Sequence, residues 1–204
     1  MIAFQIPANA FLSRSTNAFY HVSYAGMGKP GNPDYLNALK NTYNNSSQHK
    51  LQSATRELLS ALEEDLPQIY QALGFDVLTV CVVPRAKAEN AYQMNQKLFR
   101  KTVQDAIDQR HGFGDGTNYL LRHTNTYTTH LGKRAPNYNN DGPEPYRRIT
   151  AETCQISPNV RGENILLIDD IYTPGVNIDE DAINALIEVG ADTVTFYAVG
   201  NVLR

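Results

Sequence analysis

Two adjacent acids, Asp169 and Asp170, follow the apolar run Ile165, Leu166, Leu167, Ile168. They precede the short segment Thr173, Pro174, Gly175, Val176, Asn177. The order implied is a buried strand, two carboxylates, a glycine turn and a helix. At the carboxyl end of a parallel strand, such carboxylates face a ligand crevice. They are costly to bury without partners, so they call for hydroxyls, cations or water. A glycine turn entering a helix offers main-chain N–H groups and the positive end of the helix dipole, which suit a phosphate. Sugar hydroxyls on the acids and a phosphate on the turn describe a ribose 5-phosphate. The bland alternative is two aspartates that merely cap a loop.

A second group is basic. Pro84, Arg85, Ala86 and Lys87 follow another apolar run at 77–83, and Arg122, Lys133, Arg134, Arg147 and Arg148 crowd the middle third. Each can serve as an anion ligand or as an ordinary solvated charge. Tyr119, Tyr127, Tyr138 and Tyr146 lie near these cations, which would suit either single-stranded nucleic acid or an aromatic lid. Tyr172 can stack on a base or pack under its loop. The five histidines show no metal-ligand spacing.

The elements that must position these groups follow from periodicity. Residues 19–24 read as a short strand, 26–33 as a Gly/Pro loop and 33–43 as a short helix. Leu51, Ala54, Leu58, Leu62, Leu66, Ile69 and Leu73 recur at helical spacing, with Pro67 as a kink or restart and Gly74 as a stop. Residues 77–83 and 165–168 read as strands buried on both faces. Residues 91–107 and 178–189 read as helices, 111–118 as a loop, 119–121 as a short strand and 193–199 as a last strand. The stretch 123–149 lacks periodicity, as expected of a functional lid or a disordered segment. Alternating strands and helices predict an α/β fold with a mainly parallel sheet flanked by helices. Residues 1–74 read as a mixed, partly helical extension or hood, and 75–204 as the α/β domain.

At 204 residues, with 42% hydrophobic content and a net charge of -3, the chain is long enough for one domain with a real core. The acidic balance argues against a nucleic-acid binder, which needs clustered cations. No apolar run is long enough to span a bilayer. The first fifteen residues lack the basic and apolar regions of a signal peptide. Cys81 and Cys154 are too few for a disulfide framework or a zinc cluster, and a reducing cytoplasm is the expected compartment. Oligomeric state stays open, a homodimer included.

The acidic motif resembles the phosphoribosyl pyrophosphate (PRPP) motif of type I phosphoribosyltransferases. The wider chain is most similar to the ComF, amidophosphoribosyltransferase-like branch. The resemblance rests on three pieces: Val82, Val83, Pro84, Arg85, Ala86, Lys87; then Leu121, Arg122, His123, Thr124; then the motif itself. It covers roughly 76–204. It implies that Asp169 and Asp170 hold the ribose hydroxyls, and that Thr173, Pro174, Gly175, Val176 and Asn177 form the 5-phosphate turn. Pro84, Arg85, Ala86 and Lys87 would form the pyrophosphate loop, with Arg85 and Lys87 neutralising the leaving group. Arg122, Lys133 and Arg134 belong to the flexible loop. Mg²⁺ would be held by Asp169 and Asp170, mainly through ribose and water. A Mg²⁺-dependent transferase releasing pyrophosphate follows. The acceptor would be nitrogenous, recognised by the hood and by residues 197–201. Pro174, Asn177 and the acids Asp179, Glu180 and Asp181 depart from the family pattern. They point to one alternative, a non-catalytic PRPP or nucleotide sensor; the resemblance to the competence-associated branch itself implies another, a DNA-uptake accessory.

Overall fold

In a computed structural model, the described residues are 1–108, 110–128, 131, 138, 140, 142, 149–150 and 152–203. The elements in order are β1 (Ile2–Ile6), β2 (Thr16–Ser23), α1 (Asp34–Lys40), α2 (Gln48–Leu73), β3 (Leu78–Val82) and α3 (Leu98–Ile107). There follow β4 (Phe113–Asp115), β5 (Leu120–Arg122), β6 (Cys154–Ile156), β7 (Asn164–Tyr172), α4 (Ile178–Val189) and β8 (Thr193–Asn201). Six strands form one sheet in the order β1-β2-β8-β7-β3-β4, while β5 and β6 pair separately. Only β1 is antiparallel to its neighbour in the large sheet. The protein is therefore α/β, with a mostly parallel mixed sheet flanked by helices.

Side chains alternate between the faces of a strand, and β7 divides the core accordingly. Ile165 and Leu167 pack with Ile183 and Leu186 of α4. Leu166 and Ile168 pack with Leu58, Leu62 and Leu66 of α2 and Val103 of α3. The helix α2 forms because its apolar residues recur every three or four positions. Ser47 caps it by accepting from Lys50 N, and Gly74, at φ 67°, ends it by donating to Tyr70 O. Pro67 lies inside this single helix without ending it.

Residues 1–74 share the sheet and the core with the rest of the chain. They supply β1, β2, α1 and α2, and Phe19, Leu36 and Leu58 share one core with Leu78 and Tyr197. The strand β1, for which the sequence carries no forecast, is a mostly exposed edge. Two short 3₁₀ turns, Glu89–Ala91 and Met94–Gln96, stand where the helix is expected to begin, and α3 starts at Leu98. A strand at 113–115 stands where a loop is expected. β7 runs past both aspartates to Tyr172, four residues beyond the forecast end of its apolar run.

The order of strands decides where a ligand can sit. From β3 the chain crosses outward to β4, and from β7 it crosses the other way to β8. β3 and β7 are neighbours, so their carboxyl ends diverge at a topological switch point, where open α/β sheets bind ligands.

A candidate ligand cleft at the switch point

A cleft of about 390 Å³ lies at that point. Val83, Pro84, Arg85 and Ala86 line it from the end of β3, and Asp169, Asp170, Thr173, Val176, Ile178 and Asp179 from β7 and α4. Lys40 and Thr42 close it from α1, and Tyr92, Thr128 and Tyr138 complete it. The two sequence motifs thus meet in one place.

The loop after β3 is held from behind. Arg122 Nε donates to Arg85 O at 2.7 Å, and Thr126 donates to Ala86 O through both its N (2.7 Å) and Oγ1 (2.8 Å). Lys87 N donates to Tyr92 Oη, and Ala88 N to Asn125 Oδ1. With their carbonyls engaged outward, Arg85 and Ala86 keep main-chain N–H groups that no described protein group accepts, beside the cleft. Such N–H pairs suit an anion.

The cations do not follow the sequence expectation. The Arg85 guanidinium donates to the carbonyls of Gln96 and Lys40 and lies 4.2 Å over the Tyr92 ring. Lys87 is buried and does not line the cleft; its ammonium donates to Thr126 O at 2.8 Å and lies 5.7 Å from the centre of the Tyr138 ring. Arg122 is buried behind the loop, where loss of solvent lowers its pKa from the usual guanidinium value. Lys133 and Arg134 lie outside the described residues. Parts of the stretch expected as a lid pack against this loop: Thr126 and Thr128 are buried, and Asn140 exchanges hydrogen bonds with the Thr128 main chain.

The turn after β7 is open. Gly175 and Asn177 have φ of 82° and 64°, and no side chain caps α4. Asn177 Nδ2 turns back to Gly175 O at 3.1 Å. The first-turn N–H groups of α4 have no intrahelical acceptor. Thr173 and Val176 line the cleft, whereas Pro174, Gly175 and Asn177 shape the turn from its outer side.

The two aspartates take different partners. Asp170 Oδ1 lies 3.3 Å from Lys40 Nζ. Burial would depress Lys40, but Asp170 and Asp169 hold its pKa above the usual lysine value. Asp169 Oδ1 accepts from Asp170 N at 2.8 Å, and its carboxyl group faces that of Asp179. Two carboxylates that close cannot both ionise cheaply. Burial, then the charge of Asp170, pushes Asp169 up to about 7, and burial, then Asp169, raises Asp179 well above the carboxylate range. Asp179 Oδ1 is buried and has no hydrogen-bond partner.

Sequence reasoning missed Lys40, Thr42 and Tyr92 as cleft residues. Lys40 ends a short helix in a segment without a motif, so no local signal marks it. Asp179 is visible as a first-turn acid, but not as the partner of Asp169. Tyr172, a base-stacking candidate, packs under its loop instead: it is buried against Phe4 and Phe196 and donates to Glu180. Tyr197, expected near an acceptor, is buried on the α2 face and donates to Asp65.

Magnesium takes oxygen ligands and keeps several waters. Asp169, Asp170 and the unpartnered Asp179 oxygen offer that chemistry in one cleft. Among the described residues no three acidic, His or Cys side chains are grouped to hold a metal alone. An ion here would need its shell completed by ligand oxygens and water. Compared with known proteins, the chain matches no family model and no curated protein.

Proposed function

We propose that the chain is a PRPP-binding protein of the type I phosphoribosyltransferase kind. It transfers 5-phosphoribosyl to a nitrogenous acceptor and releases pyrophosphate. The observation that carries this reading is the meeting, at one switch point, of the uncapped start of α4 with Asp169 and Asp170. The turn takes the 5-phosphate, and the aspartates take the ribose hydroxyls. The N–H groups of Arg85 and Ala86 face the group on C1. Asp169 and Asp170 would hold Mg²⁺, by way of ribose and water, and the ion would supply positive charge to the leaving group when bound.

In the reaction, the bond from C1 to the pyrophosphate oxygen breaks and its electron pair leaves with pyrophosphate. The acceptor nitrogen forms the new bond to C1 and releases its proton. The protein orients the partners and stabilises the departing charge. Incubation with PRPP, Mg²⁺ and a panel of nucleobases and amines is expected to release pyrophosphate. Release no greater than that of Asp170→Asn across the panel rejects the catalytic reading.

One group of observations favours a sensor that binds without turnover. Arg85 and Lys87 have main-chain carbonyl partners, and Asp179 adds a carboxyl group beside the turn. For a sensor, calorimetry gives saturable PRPP binding while the same panel yields no pyrophosphate.

A further inference from the structure

On the ribose 5-phosphate reading the cleft calls for positive charge opposite the turn, and Arg85 and Lys87, expected to supply it, donate instead to main-chain carbonyls. Of the described cations, Lys40 and Arg85 line the cleft. Arg85 directs both terminal nitrogens at main-chain carbonyls. Lys40 directs its ammonium at a side chain of the cleft itself, Asp170 Oδ1, at 3.3 Å. An ammonium has three donors, so it can keep Asp170 and still take phosphate oxygens.

The position of Lys40 is set in advance. α1 ends there, and Asn41 follows in the left-handed conformation at φ 37°. Lys40 O accepts from Arg85 at 2.6 Å, and Asn41 O accepts from Gln96 Nε2 at 3.0 Å. Arg85, stacked on Tyr92, therefore acts as a positioning residue for Lys40. Lys40 also lines a smaller recess of about 60 Å³ with Arg85, Tyr92 and Gln96. Asp169 and Asp170 also line that recess, and no residue of the turn at 173–177 does.

We infer that Lys40 is the side-chain cation that grips the pyrophosphate group on C1, an assignment that rests on the ribose 5-phosphate reading of the cleft. The N-terminal segment then completes the ligand site as well as the sheet. Arg85, the obvious candidate by sequence, serves the same end at one remove.

The test is calorimetry with inorganic pyrophosphate plus Mg²⁺, and separately with ribose 5-phosphate. Wild type, Lys40→Met and Lys40→Arg are compared, with Lys40→Gln in reserve should the methionine variant not fold. Loss of one charge-assisted contact is expected to weaken pyrophosphate binding by about ten- to a hundredfold in Lys40→Met. Ribose 5-phosphate affinity should stay within about threefold, and Lys40→Arg should recover most of the pyrophosphate affinity. Equal pyrophosphate affinity in wild type and both neutral variants overturns the assignment. So does a loss confined to ribose 5-phosphate, which would make Lys40 a partner of Asp170 only. Ribose 5-phosphate binding to no variant, wild type included, overturns the cleft reading and the assignment with it.

Discussion

Asp65 and Asp169 are both acids set against the sheet, and the protein treats them in opposite ways. Asp65 is 0% exposed on the apolar face of α2. Its Oδ2 accepts from the hydroxyl of Tyr197 at 2.9 Å and is hydrogen-bonded to His21 Nδ1 at 3.1 Å, and its Oδ1 is ion-paired with the Met1 amino group at 3.3 Å. Burial alone would raise its pKa, but the hydrogen bonds from His21 and Tyr197 overcome burial and hold it below the usual value. Asp169 has one main-chain donor and two acidic neighbours, and it rises to about 7. A buried carboxylate supplied with donors holds a fold together. One supplied with other carboxylates carries a cost that a ligand or cation can relieve, and such perturbed groups in a cleft mark functional sites. The first site joins β2, α2 and β8 in the core; the second sits at the mouth of the sheet.

Four substitutions or titrations sharpen or break that contrast. The largest effect is expected from Asp65→Ala, which leaves Tyr197 and His21 without their acceptor. It should lower stability by about 3 kcal/mol, or roughly 9 °C in Tm, read by thermal unfolding, with ligand affinity unchanged at low temperature. A loss under about 1 kcal/mol would break the contrast. Next, Asp170→Asn should weaken ribose 5-phosphate binding by about thirtyfold, the scale of a hydrogen bond to a charged group. Its Tm should move by only a few degrees; calorimetry and a melting curve on the same sample separate the two. Third, Asp179→Asn removes a carboxylate that opposes Asp169. It should raise Tm by about 3 °C at pH 8 and by less at pH 5, where the wild-type pair retains its proton.

The smallest effect is a pH profile. His21, raised chiefly by its hydrogen bond to Asp65, contributes stability that is present below about pH 6.5 and lost as pH rises through its higher folded value. Asp65, lowered, contributes stability that is present above about pH 4 and lost as pH falls through its folded value. The pair therefore helps most between about pH 4 and pH 6.5. A His21→Gln variant should lose that excess there and converge with wild type at alkaline pH. A stability difference that does not vary with pH would show that His21 is not charged in the fold.

What could be read in advance follows from range. The buried strands β3 and β7, the helices α2 and α4 and the turn at Gly175 announce themselves through local periodicity and turn chemistry. The pairing of β2 with β8 joins residues far apart in the chain, and β1 is a five-residue edge with a mostly exposed pattern. Neither leaves a local trace, so the N-terminal third read as an appendage. In the cleft, Asp169, Asp170, Pro84, Arg85 and Ala86 were legible because each stands at the end of an apolar run. The direction of a long cation was not. Arg85 and Lys87 find main-chain carbonyl acceptors that no sequence displays, while Lys40 reaches the cleft as the last residue of α1, which packs against α2 and α3.

The account's central claim is that the uncapped start of α4 holds a phosphate while Asp169 and Asp170 hold a sugar. A crystal structure with ribose 5-phosphate bound tests it most directly. The account predicts the phosphate within hydrogen-bonding distance of the main chain between Gly175 and Asp179, with the sugar hydroxyls on Asp169 and Asp170. A phosphate seated elsewhere, with Asp170 still paired only to Lys40, would contradict it.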